Sequence, residues 1–382
     1  MRYLTAGESH GPKLVGILEG VPSGAKIEKE KIDKALQERQ KGPGRGGRMK
    51  IEKDQVNILS GLRGGLTTGA PIALEIINRD WANWEKIMAW GPEADLESRK
   101  VTAPRPGHAD LTGYLKYRTE VRNVLERASA RETAMRVAIG NIALQMLDAL
   151  GVEVRGQVLT VGKVRLNYED TPEHWQRVEA SEWKVGDSQG EEALYAQLKE
   201  AQNKGESLGG ILQIQVHNLP PGLGSYVQWD RKLDGRLAQA VLSVQAIKGV
   251  AFGLGFKAGE SFGSEVHDPI GYTQGRGYYR YSNNAGGIEG GMTNGEPIIL
   301  EAVMKPIPTL YSPLLTVDVE TKEVKEASVE RSDVCAVPAA LVVLKHVVAY
   351  EILQAVLEKF PADTWEELLK AWQDYKRYVS EQ

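Results

Sequence analysis

Apolar residues between Ala134 and Leu150 (Met135, Val137, Ala138, Ile139, Ile142, Ala143, Leu144, Met146 and Leu147 among them) point in nearly every direction around a helix. A helix that is apolar all round is a buried one. Ser129 and Glu132 ahead of it have the spacing of a capping box, and Gly151 supplies a stop. A second, almost wholly apolar stretch, Ala339 to Leu357, begins behind Pro338, a residue suited to a first helical turn. Two buried helices are therefore expected at the centre. Amphipathic spacing predicts three more. Glu28 to Gln40 turns Ile32, Ala35 and Leu36 inward, and Leu233 to Lys248 is capped by Asp230 and stopped by Gly249. The last, near Ala362 to Tyr378, gathers Trp365, Leu368, Leu369, Trp372 and Tyr375 on one side.

Period-two or short apolar runs bounded by turn residues predict strands at 2–6, 13–18, 56–59, 71–78, 152–164, 211–217, 252–256 and 297–304. Regular βαβ alternation is absent, which argues against a doubly wound nucleotide fold. The expectation is an α+β chain of mostly antiparallel strand pairs around buried helices. Residues 81–100, with Trp81, Trp84 and Trp90, read as an irregular loop whose tryptophans anchor packing or an interface. Residues 166–207 are polar and acidic and read as a peripheral insertion with one short helix near Ala193 to Ala201 and a surface His174. Residues 271–295, rich in glycine, read as a close-packed loop without regular structure, fit to pass a flat ligand.

Composition narrows the partners. With 382 residues the chain can bury a large core. Its net charge of −4 argues against a general nucleic-acid or anionic-membrane binder, leaving room for a local basic pocket. The single cysteine, Cys335, removes a disulfide framework or a cysteine metal site and fits a reducing compartment. No secretory leader is expected at the N-terminus. No membrane span is expected either, since the most apolar run, Ala339 to Leu344, is broken by Lys345 and His346. No metal motif is present.

Candidate chemistry lies at turns and helix starts. His10 sits between Ser9 and Gly11, and His108 follows the Arg105-Pro106-Gly107 turn; both are candidates for proton transfer. The segment 39–48 holds Arg39, Lys41, Arg45 and Arg48 among four glycines with no acid. Its letters satisfy G-x-G-x-x-G formally, but it follows a helix and not a strand, so it is no dinucleotide fingerprint. What remains is a permissive cationic loop that could gather guanidiniums on one anion, or a solvated charged loop. Arg127 and Arg131 flank the Ser129 cap, where orphan N–H groups favour an anion. A surface cap with solvated arginines is the alternative there. Two turn histidines beside this arginine surplus point toward an enzyme acting on a polyanionic small molecule.

The segments TAGESHGP (5–12), GRGGRM (44–49), RPGHAD (105–110), RASARETA (127–134), QAIKGV (245–250), NNAGGIEGGMTNG (283–295) and RSDVCAVP (331–338) resemble, in collinear order, the chorismate synthase pattern. Ala128 departs from it, standing where the family often has Ser. The resemblance implies a single-domain β-α-β sandwich with buried helices flanked by mostly antiparallel sheets, not a Rossmann fold. It implies a lyase requiring reduced FMN that eliminates phosphate from 5-enolpyruvylshikimate 3-phosphate in the anti-1,4 sense, giving chorismate. It assigns Ser9, Arg39, Arg45, Arg48, Arg105 and Arg131 to the substrate and His10 to protonation of the leaving phosphate. His108 would protonate or hydrogen-bond the reduced flavin near N1, and Asp333 would relay the C6 proton taken up by flavin N5. FMN would be held by Arg127, Ala128, Ser129, Gln245, Ala246, Gly290, Lys305, Pro306, Ile307, Pro308, Thr309 and Arg331. In some members Arg39 and Arg45 would bind NADPH as reductant. A cytoplasmic homotetramer is the implied form. Two rivals stand beside this: an RNA or polyphosphate module using the 39–48 loop, and a flavin-free transferase acting on a sugar phosphate.

Overall fold

A computed structural model describes residues 1–47, 52–330 and 332–382. Its centre is the pair of apolar helices. Thr133–Ala149 (α4) packs along Val337–Lys359 (α8), and side chains of both are buried around most of their circumference. They approach closely at Gly140, where a Cβ would stand 2.3 Å from the His346 carbonyl oxygen. Any larger residue there would push the helices apart. By length and composition α8 could cross a bilayer, but most of it is buried inside the protein, which is how a core helix reads.

One antiparallel sheet lies against α4. Its strands Arg2–Ala6 (β1), Lys13–Glu19 (β2), Val56–Ile58 (β3) and Ile72–Ile77 (β4) run in the order β1-β2-β4-β3. Leu14, Leu18, Ile72, Leu74 and Ile76 face the core, while Leu4 and Ile17, opposite each other in the register, are exposed. A second antiparallel sheet lies against α8. It consists of Glu153–Val161 (β5), Val164–Arg165 (β6), Gly210–His217 (β7), Ile247–Phe252 (β8) and Ile298–Met304 (β9), in the order β8-β9-β7-β5-β6. Among the described residues every paired strand is antiparallel. Amphipathic α1 (Lys29–Gln40) covers α4 with Ile32, Ala35 and Leu36 inward, as its spacing predicts.

The structure differs from expectation in five places, one of them the strand expected at 252–256: pairing with β9 places it earlier, as β8, and Gly255–Glu260 coils into a short 3₁₀ turn. The segment before α4 holds two unforeseen helices, Asp110–Tyr117 (α2) and Val121–Ala128 (α3). The capping box is not made: Ser129 Oγ accepts the Arg131 N–H, but Glu132 accepts a hydrogen bond from Thr5 Oγ1 at 2.8 Å. A strand lying alongside offered that carboxylate a partner invisible in the local sequence.

Residues 166–207 form two helices, Pro172–Ala180 (α5) and Ser188–Lys204 (α6). Their Trp183, Leu194 and Leu198 join the main core. His174 is buried and not at the surface. The Thr171 cap fixes its backbone, and its Nε2 lies 2.7 Å from Gln157 Oε1 on β5.

The helix expected to reach Lys248 ends earlier, as Leu233–Leu242 (α7), and Asp230 lies in a separate short turn that does not cap it. Ala246 adopts φ +68° and turns the chain into β8, whose pairing with β9 outcompetes helix propagation. The glycine-rich 271–295 region is also more regular than expected. It carries hairpins Ile270–Thr273/Gly277–Arg280 and Ile288–Glu289/Met292–Thr293. Asp268 organises it by accepting hydrogen bonds from Ser282 Oγ and the Asn284 and Ala285 N–H groups.

Candidate active site

A cavity of about 460 Å³ opens where the ends of these elements meet. The β1–β2 turn contributes Ser9 and His10, the last turn of α1 contributes Arg39, and the chain beyond it contributes Arg45 and Gly46. The α3–α4 junction adds Ala128, Ser129, Arg131 and Thr133. The α7–β8 turn adds Gln245 and Ala246, and the chain leaving β9 adds Lys305, Ile307, Pro308 and Thr309. Asp333 enters just ahead of α8. Residues scattered from 9 to 343 thus share one wall, and His10 and His108 line the same space.

His10 is held on two sides. Its Nδ1 lies 2.9 Å and 3.0 Å from the two oxygens of Glu126, and its N–H donates to Glu126 Oε2 at 2.8 Å. The ring stacks on Trp84 with centroids 3.8 Å apart and planes at 21°. Burial works to raise the Glu126 carboxyl, but the bonds from His10 and the charge of Arg122 hold it below its ordinary value.

His108 Nδ1 lies 2.5 Å from Asp110 Oδ1 and 3.1 Å from Arg105 Nη2. Arg105 grips the same carboxylate with Nε at 2.9 Å and Nη2 at 3.2 Å, and donates Nη1 to Thr309 Oγ1 at 2.9 Å. Against the upward push of burial, bonds from His108 and Arg105 hold the Asp110 carboxyl far below the usual carboxylate range.

The deeper arginines are tied to carboxylates behind them. Arg131 Nη1 donates to Asp54 Oδ2 at 2.6 Å and its Nε to Asn78 Oδ1 at 2.9 Å. Arg39 donates to Thr133 Oγ1 and the Ala130 carbonyl, with Asp54 3.9 Å away. Burial draws the Arg39 guanidinium down to about 10; Asp54 opposes this, while Arg131 and Arg45 reinforce it. Arg39 Nη1 and Arg131 Nη2 make no hydrogen bond and face Asp54 at 3.9 Å and Glu52 at 3.6 Å as ion pairs. Arg45 pairs with Asp333 at 2.7 Å, and the Gly46 N–H donates to the other Asp333 oxygen at 2.6 Å. The described lining itself holds six cations, Arg39, Arg45, Arg99, Arg105, Arg131 and Lys305, against three carboxylates, Asp80, Glu330 and Asp333, while Asp54 and Asp110 lie behind it. The surplus is cationic, as a multiply charged anion requires.

Not every expected residue is at this wall. Arg127 is exposed and spends its guanidinium on the carbonyls of Thr5 and Gly7. Gly290 lies in a hairpin turn that does not line the cavity, and Pro306 is exposed between two wall residues. Arg48 and Arg331 lie outside the described residues. Conversely, Glu126, Asp110, Arg99 and Glu330 were not among the expected site residues, and Trp84, expected only as a packing or interface anchor, lines the cavity. Asp110 was legible, two residues after His108. Glu126 and Trp84 were not, because their tie to His10 spans 116 and 74 positions of chain.

The cavity also suits a flat ring. Val244, Met304, Ile307, Pro308, Ala339, Ala340 and Val343 give it an apolar side, and Gln245 Oε1 is a buried acceptor with no partner. An imide N–H on a planar cofactor is the kind of donor that would satisfy it. Among the described residues no cluster suited to a metal is present.

The chain was compared with known proteins. The family model described as chorismate synthase matches residues 1–357. A chorismate synthase of Desulfitobacterium hafniense (strain Y51) is 88% identical over 381 residues, covering 100% of both chains. That of Desulforamulus reducens is 54% identical over 389 residues, covering 99% of this chain and 100% of its own. A solved structure described as "Crystal Structure of Chorismate Synthase" superposes with TM-score 0.80 at 40% identity, covering 100% of this chain and 98% of its own.

Proposed function

The chain belongs to the chorismate synthase family, lyases of aromatic amino-acid biosynthesis, and on that premise we propose how its cavity works. It takes 5-enolpyruvylshikimate 3-phosphate and eliminates phosphate in the anti-1,4 sense with reduced FMN bound alongside. The observation that carries this reading is the convergence of both turn histidines and the arginine surplus on one partly apolar cavity.

Arg39, Arg45, Arg105 and Arg131 offset the phosphate and carboxylates that water would otherwise solvate. Arg105 acts mainly by charge, since its donors are committed to Asp110 and Thr309. Ser9 adds a hydroxyl. His10 donates a proton from Nε2 to the departing phosphate, a poor leaving group as a trianion. Ala128, Ser129, Gln245, Ala246, Lys305, Ile307, Pro308 and Thr309 would hold FMN, with His108 a proton or hydrogen-bond donor to it and Asp333 available to move the proton lost from C6. When bound, reduced FMN would supply electron density to the allylic system, without net redox change. NADPH, where it serves as reductant, uses Arg39 and Arg45 and therefore excludes the substrate while bound.

The reading includes the layered arrangement of sheet, helix pair and sheet, and a cytoplasmic homotetramer. Exposed Leu4 and Ile17 on the outer face of β1 and β2 support assembly. The experiment is an anaerobic absorbance measurement with FMN, dithionite and substrate. A substrate-dependent change in reduced-flavin absorbance with phosphate release is expected. Phosphate release without FMN, or none with it, would overturn the reading.

A further inference from the structure

Glu126 is a carboxylate on α3 whose side chain is fully buried, behind the cavity wall and touching His10 from the far side. A buried carboxylate is costly unless its oxygens are satisfied. One duty it could have is anchoring the turn that carries His10. Its bond from the His10 main-chain N–H does that in part, but the turn has other ties. Asn78 Nδ2 donates to the carbonyls of Glu8 and Gly11, and the Ser9 N–H donates to the Glu126 main-chain carbonyl, which any residue supplies. Both carboxylate oxygens instead meet the His10 ring nitrogen, and Oε2 also takes the His10 N–H.

The surroundings fix this contact. Arg122, one turn earlier on α3, lies 3.5 Å from Glu126 Oε1 and is itself braced by the Arg99 carbonyl and by Glu330. Trp84 sets the ring plane; its Nε1 donates to Asp80 Oδ2 at 3.1 Å, and the Arg99 guanidinium sits 4.1 Å over its ring. Face and Nδ1 edge are both occupied, so Nε2 is the nitrogen left for the cavity.

We propose that Glu126 is the positioning residue of His10, fixing the tautomer and ring orientation that present an Nε2 proton to the leaving group. This rests on the reading of His10 as proton donor. A carboxylate behind an imidazole holds its orientation and steadies the proton-bearing form, as in other acid–base pairs. Gln offers one acceptor oxygen where two donors converge. Asp keeps the charge but withdraws it from the ring.

The test uses the full chain with FMN, reductant and substrate. Glu126→Gln should lower kcat about ten- to hundred-fold, the scale of a misplaced catalytic group, with KM within about two-fold. Glu126→Asp, the variant closer to the native charge, should lose less kcat, again at unchanged KM. In a His10→Ala background Glu126→Gln should add no further loss. An additive loss, a loss carried by KM, or an unchanged kcat in Glu126→Gln would overturn the proposal. If His10→Ala is impaired while Glu126→Gln is normal, only the positioning role falls. If His10→Ala itself turns over normally, the proton-donor reading falls and takes this with it.

Discussion

The two imidazoles of the cavity are built on one plan with different emphasis. Each presents Nδ1 to a buried carboxylate: His10 to Glu126 and His108 to Asp110. Glu126 serves His10 first, with Arg122 at the edge of hydrogen-bonding distance. Asp110 is shared, because Arg105 takes it with Nε, Nη2 and its own main-chain N–H. The same functional group, a carboxylate, therefore does different work. Behind His10 it directs a ring, and behind His108 it chiefly neutralises a buried guanidinium and locks the 105–110 turn.

His346 shows what an imidazole does without such a partner. Buried between α8 and α4, it hydrogen-bonds the Val342 carbonyl and Asn141. Burial pushes it down to about 4, so it stays neutral.

The sharpest way to break the comparison is to remove each ring. His10→Ala and His108→Ala should each lower turnover ~10²–10⁴-fold, with thermal melting close to wild type. Near-normal turnover in either would take that histidine out of the chemistry. Removing the carboxylates should then separate them. Asp110→Ala leaves Arg105 buried and unpaired and should cost about 3–5 kcal/mol of stability, read as a lower denaturant midpoint. A stable Asp110→Ala protein with only turnover lost would make the two carboxylates equivalent after all.

His346 sharpens the contrast through pH. Its folded value lies below the unfolded one of about 6.5, so as pH falls the unfolded chain takes up the proton first. Stability is intact above about pH 6.5 and lost progressively toward pH 4, by about 3 kcal/mol in all. Denaturant titrations across that window should show a shallower slope for His346→Gln. An unchanged slope would take the loss away from His346 without passing it to depressed carboxylates such as Asp110 and Glu126, whose contribution is lost only below about pH 4. The smallest effect is expected at the α3–α4 junction. Ser129→Ala removes a bond from Ser9 and the cap on the Arg131 N–H, costing about 1 kcal/mol. Its melting temperature measures this directly.

Much of this was legible in the chain. Residues 134–150 and 339–357 announced buried helices because only a core accepts apolar side chains on every face. The glycine-flanked histidines and the acid-free arginine loop announced chemistry because neither pattern suits packing. Local reading failed where partners are distant: Glu132 chose Thr5 over its cap, α7 yielded to β8 pairing, and His174 found Gln157.

The sequence by itself determined which segments are buried, which carry charge and which can turn, since those follow from side-chain solubility and backbone freedom along a few residues. Tertiary structure alone decided which carboxylate faces which cation or ring. Glu126 beside His10, Asp54 beside Arg131 and Asp333 beside Arg45 are contacts across 116, 77 and 288 positions. Coulomb attraction and desolvation act through space, so no local pattern encodes them until the core has brought the segments together.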